Sequence, residues 1–275
     1  MPILAVSTQV FGEREVTAQH LEIMRQAGFA WVEVFAAPGH FAWEDDAAVR
    51  QMERWLRDLD MSVCSLHAPW APGQDIAAQD AVQREQSLCA VERAVDALVA
   101  LHGKYLIVHP GATPAGAQAK AAQLRIAEDS LMRVVHYCSA RGVQAALENP
   151  PPYELGGATA DMIKLYRRFA GEPALQACFD TGHAHCTRAG VNGIARVPKD
   201  VAVIHLSDNT GRSDDHLPPP QGTIDWASFF RLLAGRSWDG YLVLELTDRQ
   251  DAPDVLERGM RWITTSLHEE NKGNV

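Results

Sequence analysis

Short apolar runs alternate with longer stretches of helical periodicity along the whole chain. The runs are ILAVST (3–8), AWVEVF (30–35), MSVCSLH (61–67), KYLIVH (104–109), VQAALE (143–148), QACFD (176–180), VAVIHL (201–206) and YLVLEL (241–246). Most are continuously apolar rather than alternating, the pattern of strands covered on both faces in a parallel sheet. Between them lie amphipathic segments. The clearest runs from about 80 to 102, where Leu88, Val91, Val95, Leu98 and Val99 recur at three- and four-residue steps. Thr159 stands before Met162, Ile163, Leu165 and Tyr166 as an expected N-cap. Gly28, Gly103 and Gly142 fall where helices should stop before the next strand.

Eight strand–helix units are the number that closes a (β/α)8 barrel, a TIM barrel of the α/β class. No Ser/Gly-rich linker divides the chain, so residues 1–275 read as a single domain, with a tail from about 269 expected to fray. The proline clusters Pro150 to Pro152 and Pro218 to Pro220 follow strands 5 and 7 and read as stiff loops. An open doubly wound sheet is the alternative, but strand 1 is followed by TQVFGE and not by a GxGxxG turn.

Active sites of such barrels form at the C-terminal strand ends. Taken in order, those ends carry His67, His109, Glu148, Asp180 with His183 three residues on, His205 and Glu245. His, Asp and Glu make up about one residue in six, too few for this succession to arise readily by chance. Glu148, Asp180, His205 and Glu245 would converge from adjacent strands as a carboxylate-rich set suited to Mn²⁺, Mg²⁺ or Co²⁺. Like charges crowded at a barrel mouth need a cation to neutralise them. His67, His109, His183, Asp214 and His216 form an imidazole-rich remainder that shifts preference towards zinc. Asp214 and His216 are a D-x-H pair in the loop GRSDDHLPPPQG after strand 7. His67 and His109 end apolar strands, where a satisfied core histidine is the competing reading. His185 competes with His183 or supports it from outside. His20, His102, His136 and His268 lie on or at the ends of helices and read as surface or packing residues.

Composition narrows the choice. Thirty-five acidic against twenty-five basic residues leave a formal charge of −10, a mean field that repels phosphates and disfavours extended nucleic-acid binding. The five cysteines are widely spaced without a CxxC pair, as for reduced thiols in a cytoplasmic protein. Cys186, near the expected site, reads as a packed, inert thiol. The start, MPILAVSTQVFGERE, shows no secretory signal, and no apolar run is long enough to span a bilayer.

The segments SLHAPW, IVHPG, ALENP, FDTGHAH, IHLSDN, DDHLPPPQGTIDW and VLELTD resemble the xylose-isomerase-like TIM-barrel superfamily. That superfamily contains sugar and sugar-phosphate isomerases and epimerases as well as endonuclease IV, the family-2 AP endonuclease. The resemblance implies two chemistries. In the epimerase branch, positions matching Glu148, Asp180, His205 and Glu245 hold one metal. The two glutamates there remove and return the proton beside the carbonyl, through a metal-stabilised enediolate. His183 matches a histidine that binds substrate oxygens, and Arg212 matches an arginine after the strand-7 histidine, displaced by one residue. In the endonuclease branch nine ligands hold three zinc ions. Counterparts of all nine are present: His67, His109, Glu148, Asp180, His183, His205, Asp214, His216 and Glu245.

Against the endonuclease branch, the segment after strand 2 reads FAAPGHFAWEDD, with three acidic residues and no basic one. Trp70 matches an aromatic that the repair enzyme inserts into DNA. With Phe41 and Trp43 it reads better as a wall on which a sugar ring packs. The sequence therefore predicts a metal-dependent sugar or sugar-phosphate isomerase or epimerase, with Glu148 and Glu245 catalytic and His183, Arg212 and Trp70 binding substrate. An endonuclease-IV-like phosphodiester hydrolase is the alternative. The cofactor would be Mn, Co or Mg at a single site, or Zn at two or three. The partner would be a small carbohydrate, in a homodimer or homotetramer.

Overall fold

The computed structural model describes residues 2–71, 73–187, 189–236, 238–247 and 249–273. The strands are β1 (Ile3–Ser7), β2 (Trp31–Phe35), β3 (Ser62–His67), β4 (Tyr105–Val108), β5 (Gln144–Glu148), β6 (Leu175–Asp180), β7 (Val201–Leu206) and β8 (Tyr241–Leu244). Each pairs in parallel with the next, and β1 pairs with β8, closing the barrel. The helices are α1 (Ala18–Gln26), α2 (Asp46–Asp58), α3 (Ala81–Ala100), α4 (Ala117–Ala140), α5 (Thr159–Arg168), the short α6 (Thr181–His185), α7 (Trp226–Ala234) and α8 (Ala252–Gly273). The expected (β/α)8 barrel is the observed fold. No helix among the described residues is long and apolar enough to cross a membrane.

Two hydrophobic clusters follow from the pleat. The larger fills the space between barrel and helices, and a smaller one plugs the barrel interior with Ala5, Ile107, Ala146, Cys178, Val203 and Val243. Side chains alternate with period two, so the residue two positions beyond each plug residue also points inward, one layer higher. Ile107 is thus followed by His109, Ala146 by Glu148, Cys178 by Asp180, Val203 by His205 and Val243 by Glu245. The same apolar strands that build the plug therefore present a ring of ligands at its upper end.

Register shifts adjust two strands. Val63 and Ser65 pair with the consecutive residues Val32 and Glu33, leaving Cys64 as an extra residue in β3. In β7, Ala202 is extra between Val201 and Val203, which sets His205 opposite Asp180.

Several local expectations change. Thr159 is the first residue of α5, and its N-cap is Ala158, without a side-chain cap. Aspartates cap elsewhere: Asp45 accepts from Ala47 N–H and Asp80 from Gln83 N–H, both at 2.8 Å. After α3 the left-handed residue is His102 (φ 57), whereas Gly103 is required because a β-carbon there would collide with Leu98. α8 continues through Gly273 where a frayed tail was expected from about 269; residues 274 and 275 lie outside the described residues.

His40 ties the loop after β2 to the end of β1. Its Nδ1–H donates to the Arg14 carbonyl at 2.8 Å, and its Nε2 accepts from the Thr8 hydroxyl at 3.0 Å. Thr8 in turn accepts from Phe35 N–H at 2.9 Å. Burial pushes the His40 pKa down from 6.5 to about 4. The stability given by its neutral ring is complete above pH 6.5 and is lost as pH falls through about 4. Urea unfolding of the wild type and His40→Gln should therefore converge by about 2–3 kcal/mol between pH 7.5 and 4.5. A constant difference over that range would mean His40 carries no such shift.

Candidate metal centre

The strand ends bring together nine of the expected residues. Among the described residues, ligand atoms lie within 4.8 Å of one another in four groups: His67, His109 and Glu148; Glu148, Asp180, His205 and Glu245; Glu148, Cys178 and His205; and, sharing no member with these, His183, Asp214 and His216. Glu148 is common to the first three. Its Oε2 lies 3.4 Å from His67 Nε2 and 3.3 Å from His109 Nε2, while its Oε1 lies 3.2 Å from His205 Nδ1. Glu245 Oε2 reaches the same His205 nitrogen at 3.1 Å. Asp214 Oδ2 joins His183 Nε2 at 3.0 Å and His216 Nε2 at 3.1 Å.

Every imidazole of the set has its other nitrogen tied outward. His67 Nδ1 faces the Ala68 carbonyl at 2.9 Å, His183 Nδ1 the Asn149 carbonyl at 2.9 Å, and His216 Nδ1 the Glu245 carbonyl at 3.2 Å. A carbonyl only accepts, so these nitrogens carry a proton, and Nε2 is the atom turned inward, open to a second proton or to a metal. His109 Nδ1 donates to Glu154 Oε2 at 3.0 Å, and His205 Nε2 to Glu33 Oε2 at 3.0 Å. Such outward acceptors are what fixes the tautomer of a metal-ligating histidine.

Neighbouring motifs hold this geometry. Asn149 accepts from Asp180 N–H and donates to its carbonyl, locking the ends of β5 and β6. Asp180 Oδ1 caps α6 at His183 N–H, leaving Oδ2 turned elsewhere. At Gly182 a β-carbon would strike Ser207 Oγ, so glycine is needed where α6 meets β7. The loop carrying Asp214 and His216 is anchored through Asp208, which pairs with Leu217 and accepts from Trp226 Nε1 at 2.8 Å. His216 itself adopts a left-handed backbone (φ 44), a strained state for a residue with a β-carbon. Its two ring contacts hold it there.

The electrostatics fit a cation. Buried Oε2 of Glu148, Oδ2 of Asp180, Oδ1 of Asp214 and Oε2 of Glu245 lack a hydrogen-bond partner among the described residues. Unpaired carboxylate oxygens at such depth are costly unless a cation is bound. Burial, reinforced by Glu245, Glu148 and Asp214 against the pull of His183, pushes Asp180 up to about 7. For Glu245, burial is outweighed by His205, which holds the carboxyl at about 2. Burial likewise opposes charging of His109 and His216, yet Glu148 in the first case and Asp214 in the second raise them to about 9. Protons on imidazole thus substitute for the positive charge that the carboxylates require.

A cleft of about 840 Å³ opens beside the cluster, lined among others by Gln9, Arg14, Phe35, Trp70, Thr247 and Gln250. The half-buried Trp70 leans on His109 with ring centres 4.7 Å apart, and Phe35 on His67 at 5.0 Å. Phe41 and Trp43, expected with Trp70 in a sugar-facing wall, are instead buried in the main core, where Trp43 Nε1 donates to the Ala90 carbonyl. Phe35 takes their place. Arg212 is exposed on the loop that bears Asp214. His185 bonds Thr223 rather than any ligand, and burial pushes the Cys186 thiol up to about 11. Asp248, the last residue of the VLELTD segment, lies outside the described residues.

Residues 21–266 match the family described as xylose isomerase-like TIM barrel. An uncharacterized protein of Methanocaldococcus jannaschii is 23% identical over 228 residues, covering 79% of this chain and 76% of its own. Among solved structures, a D-tagatose 3-epimerase-like protein superposes with a TM-score of 0.85 at 19% identity, covering 99% of this chain and 100% of that one. An L-ribulose 3-epimerase gives a TM-score of 0.84 at 16% identity, covering 100% and 97%. At these identities the structural likeness establishes the fold.

Proposed function

Because the chain belongs to the xylose isomerase-like TIM-barrel family, we propose that it is a divalent-metal-dependent isomerase or epimerase of a sugar or sugar phosphate. The observation that carries this reading is the pair Glu148 and Glu245. Both carboxylates are buried, both meet one nitrogen of His205, and both carry an oxygen without a hydrogen bond. A pair of carboxylates at the end of a cleft can remove a proton from one face of a substrate carbon and return one to the other.

A divalent ion held by Glu148, Asp180, His205 and Glu245 would supply electrostatic stabilisation of the negative charge that develops on the substrate oxygens. The protein's own groups do the rest. Trp70 and Phe35 offer aromatic faces for the carbon skeleton, and His183, whose Nε2 is held by Asp214 at 3.0 Å, would bind a substrate oxygen once that contact is exchanged. Arg212 is placed on a loop that could bring a cation to a phosphate. The 3-epimerases that share this fold support a small carbohydrate as the substrate class.

The second reading, a phosphodiester hydrolase with up to three zinc ions, draws on the two imidazole-rich groups, which are a better match to zinc than to magnesium. The acidic loop after β2 and the formal charge of −10 weigh against a DNA substrate.

Elemental analysis of protein purified without chelator or polyhistidine tag, followed by NMR of ketoses, aldoses and their phosphates in deuterated water, tests both. Deuterium entering at the carbon beside the carbonyl supports the isomerase. Zinc at two or three per chain, with cleavage of abasic DNA and no exchange into any sugar, would replace it with the hydrolase.

A further inference from the structure

Glu33 was not among the residues that the strand ends suggested, yet it is fully buried within the barrel at 0% exposure. Its Oε2 accepts from the Ser65 hydroxyl at 2.7 Å and from His205 Nε2 at 3.0 Å, while its Oε1 has no hydrogen-bond partner among the described residues. Ser65 reaches it because the extra residue Cys64 sets Ser65, and not Cys64, opposite Glu33. The two nitrogens of His205 lie on opposite edges of the ring. Glu33 therefore sits behind the imidazole, whereas Glu148 and Glu245 meet Nδ1 on its front edge at 3.2 and 3.1 Å. It cannot share an ion with them through that ring, but it can decide which nitrogen carries the proton.

We propose that Glu33 is a positioning residue that fixes His205 with its proton on Nε2, so that Nδ1 is presented as a lone pair to a divalent cation between Glu148 and Glu245. This rests on the reading of the cluster as a metal centre. Three features of the arrangement follow from it. A buried carboxylate with an unpaired oxygen is costly in an isolated barrel and becomes less so when a cation charges the imidazole in front of it. The Ser65 hydroxyl orients the carboxylate so that the same oxygen faces His205. The carboxylate also raises the basicity of the ring, which strengthens its bond to a metal.

The test is cobalt binding to metal-stripped protein by calorimetry, with the visible spectrum of bound Co²⁺ and the thermal unfolding of the metal-free protein recorded alongside. Glu33→Gln should weaken Co²⁺ binding about 10- to 100-fold and alter the ligand-field bands. The metal-free variant should stay folded, because Glu148 and Glu245 still face the His205 ring, and any earlier unfolding should be too small to account for the loss of binding. Ser65→Ala, which leaves the carboxylate but frees its orientation, should weaken binding by roughly fivefold. Wild-type affinity and spectrum in both variants would overturn the role of Glu33 while leaving the metal centre intact. Loss of affinity that merely tracks early unfolding of the metal-free protein would also overturn it, as a structural role. If the wild type itself binds no Co²⁺, the metal-centre reading fails, and this proposal with it.

Discussion

Glu148→Gln is expected to lower turnover by about 10³-fold or more and to reduce the bound divalent metal, while the barrel stays folded. No other side chain in the cluster has as many obligations. One carboxylate faces His67, His109, His183 and His205 at 3.2 to 3.4 Å, and it lies in three of the four ligand groups. Glutamine keeps the volume, so packing against the interior plug is retained. It removes the charge that draws protons or metal to four imidazoles, and it places an amide N–H₂ where a lone pair is needed. The imidazoles respond by losing protons, which limits the cost to the fold. Circular dichroism separates that outcome from unfolding, elemental analysis reads the metal, and deuterium exchange into a turned-over sugar reads the chemistry. Exchange within tenfold of the wild type in this variant would remove Glu148 from proton transfer and leave it a structural ligand at most.

The asymmetry between what the sequence displayed and what it hid has a physical origin. A barrel strand announces itself by a run of apolar residues, and a titratable residue at the end of such a run stands out. His109, Glu148, Asp180, His205 and Glu245 were legible for that reason, because they follow plug residues at two-residue spacing. Glu33 and Glu154 were not. Glu33 carried a signal, an acidic residue two positions beyond Trp31 within WVEVF, but its partner Ser65 is set opposite it by the bulge at Cys64, and a bulge leaves no mark in a periodicity. Glu154 lies in a proline-rich loop whose path only tertiary contacts decide, and its bond to His109 spans 45 residues. Phe41 and Trp43 were misplaced by the same logic in reverse. Aromatics in a loop after a strand end can face the cleft or turn beneath it, and α3 captured Trp43 through the Ala90 carbonyl. Composition could exclude an extended basic surface, but it could not choose between these two orientations.

Stripping the metal with chelator should lower the melting temperature by about 10 °C at neutral pH, and this gap should widen as pH rises towards 9. An ion present at a thousand times its dissociation constant stabilises the folded state by about 4 kcal/mol, and a chain of this size shifts by roughly 2–4 °C per kcal/mol. The pH dependence follows from the protons the empty cluster keeps. His109 and His216 are raised from 6.5 to about 9 by the carboxylates that face them. A raised histidine gives stability that is complete below 6.5 and disappears as pH climbs through 9, so the metal-free protein weakens across that window. Asp180, raised from 3.8 to about 7, acts in the same direction at lower pH. The metal-loaded protein holds none of these protons and escapes the loss. Ion and protons therefore compete, and affinity should rise about tenfold or more per pH unit between 6.5 and 9. Calorimetry in two buffers of different ionisation enthalpy would count the protons released. An affinity that stays level over this range would show that the imidazoles are already neutral without metal, and that the carboxylates alone hold the ion.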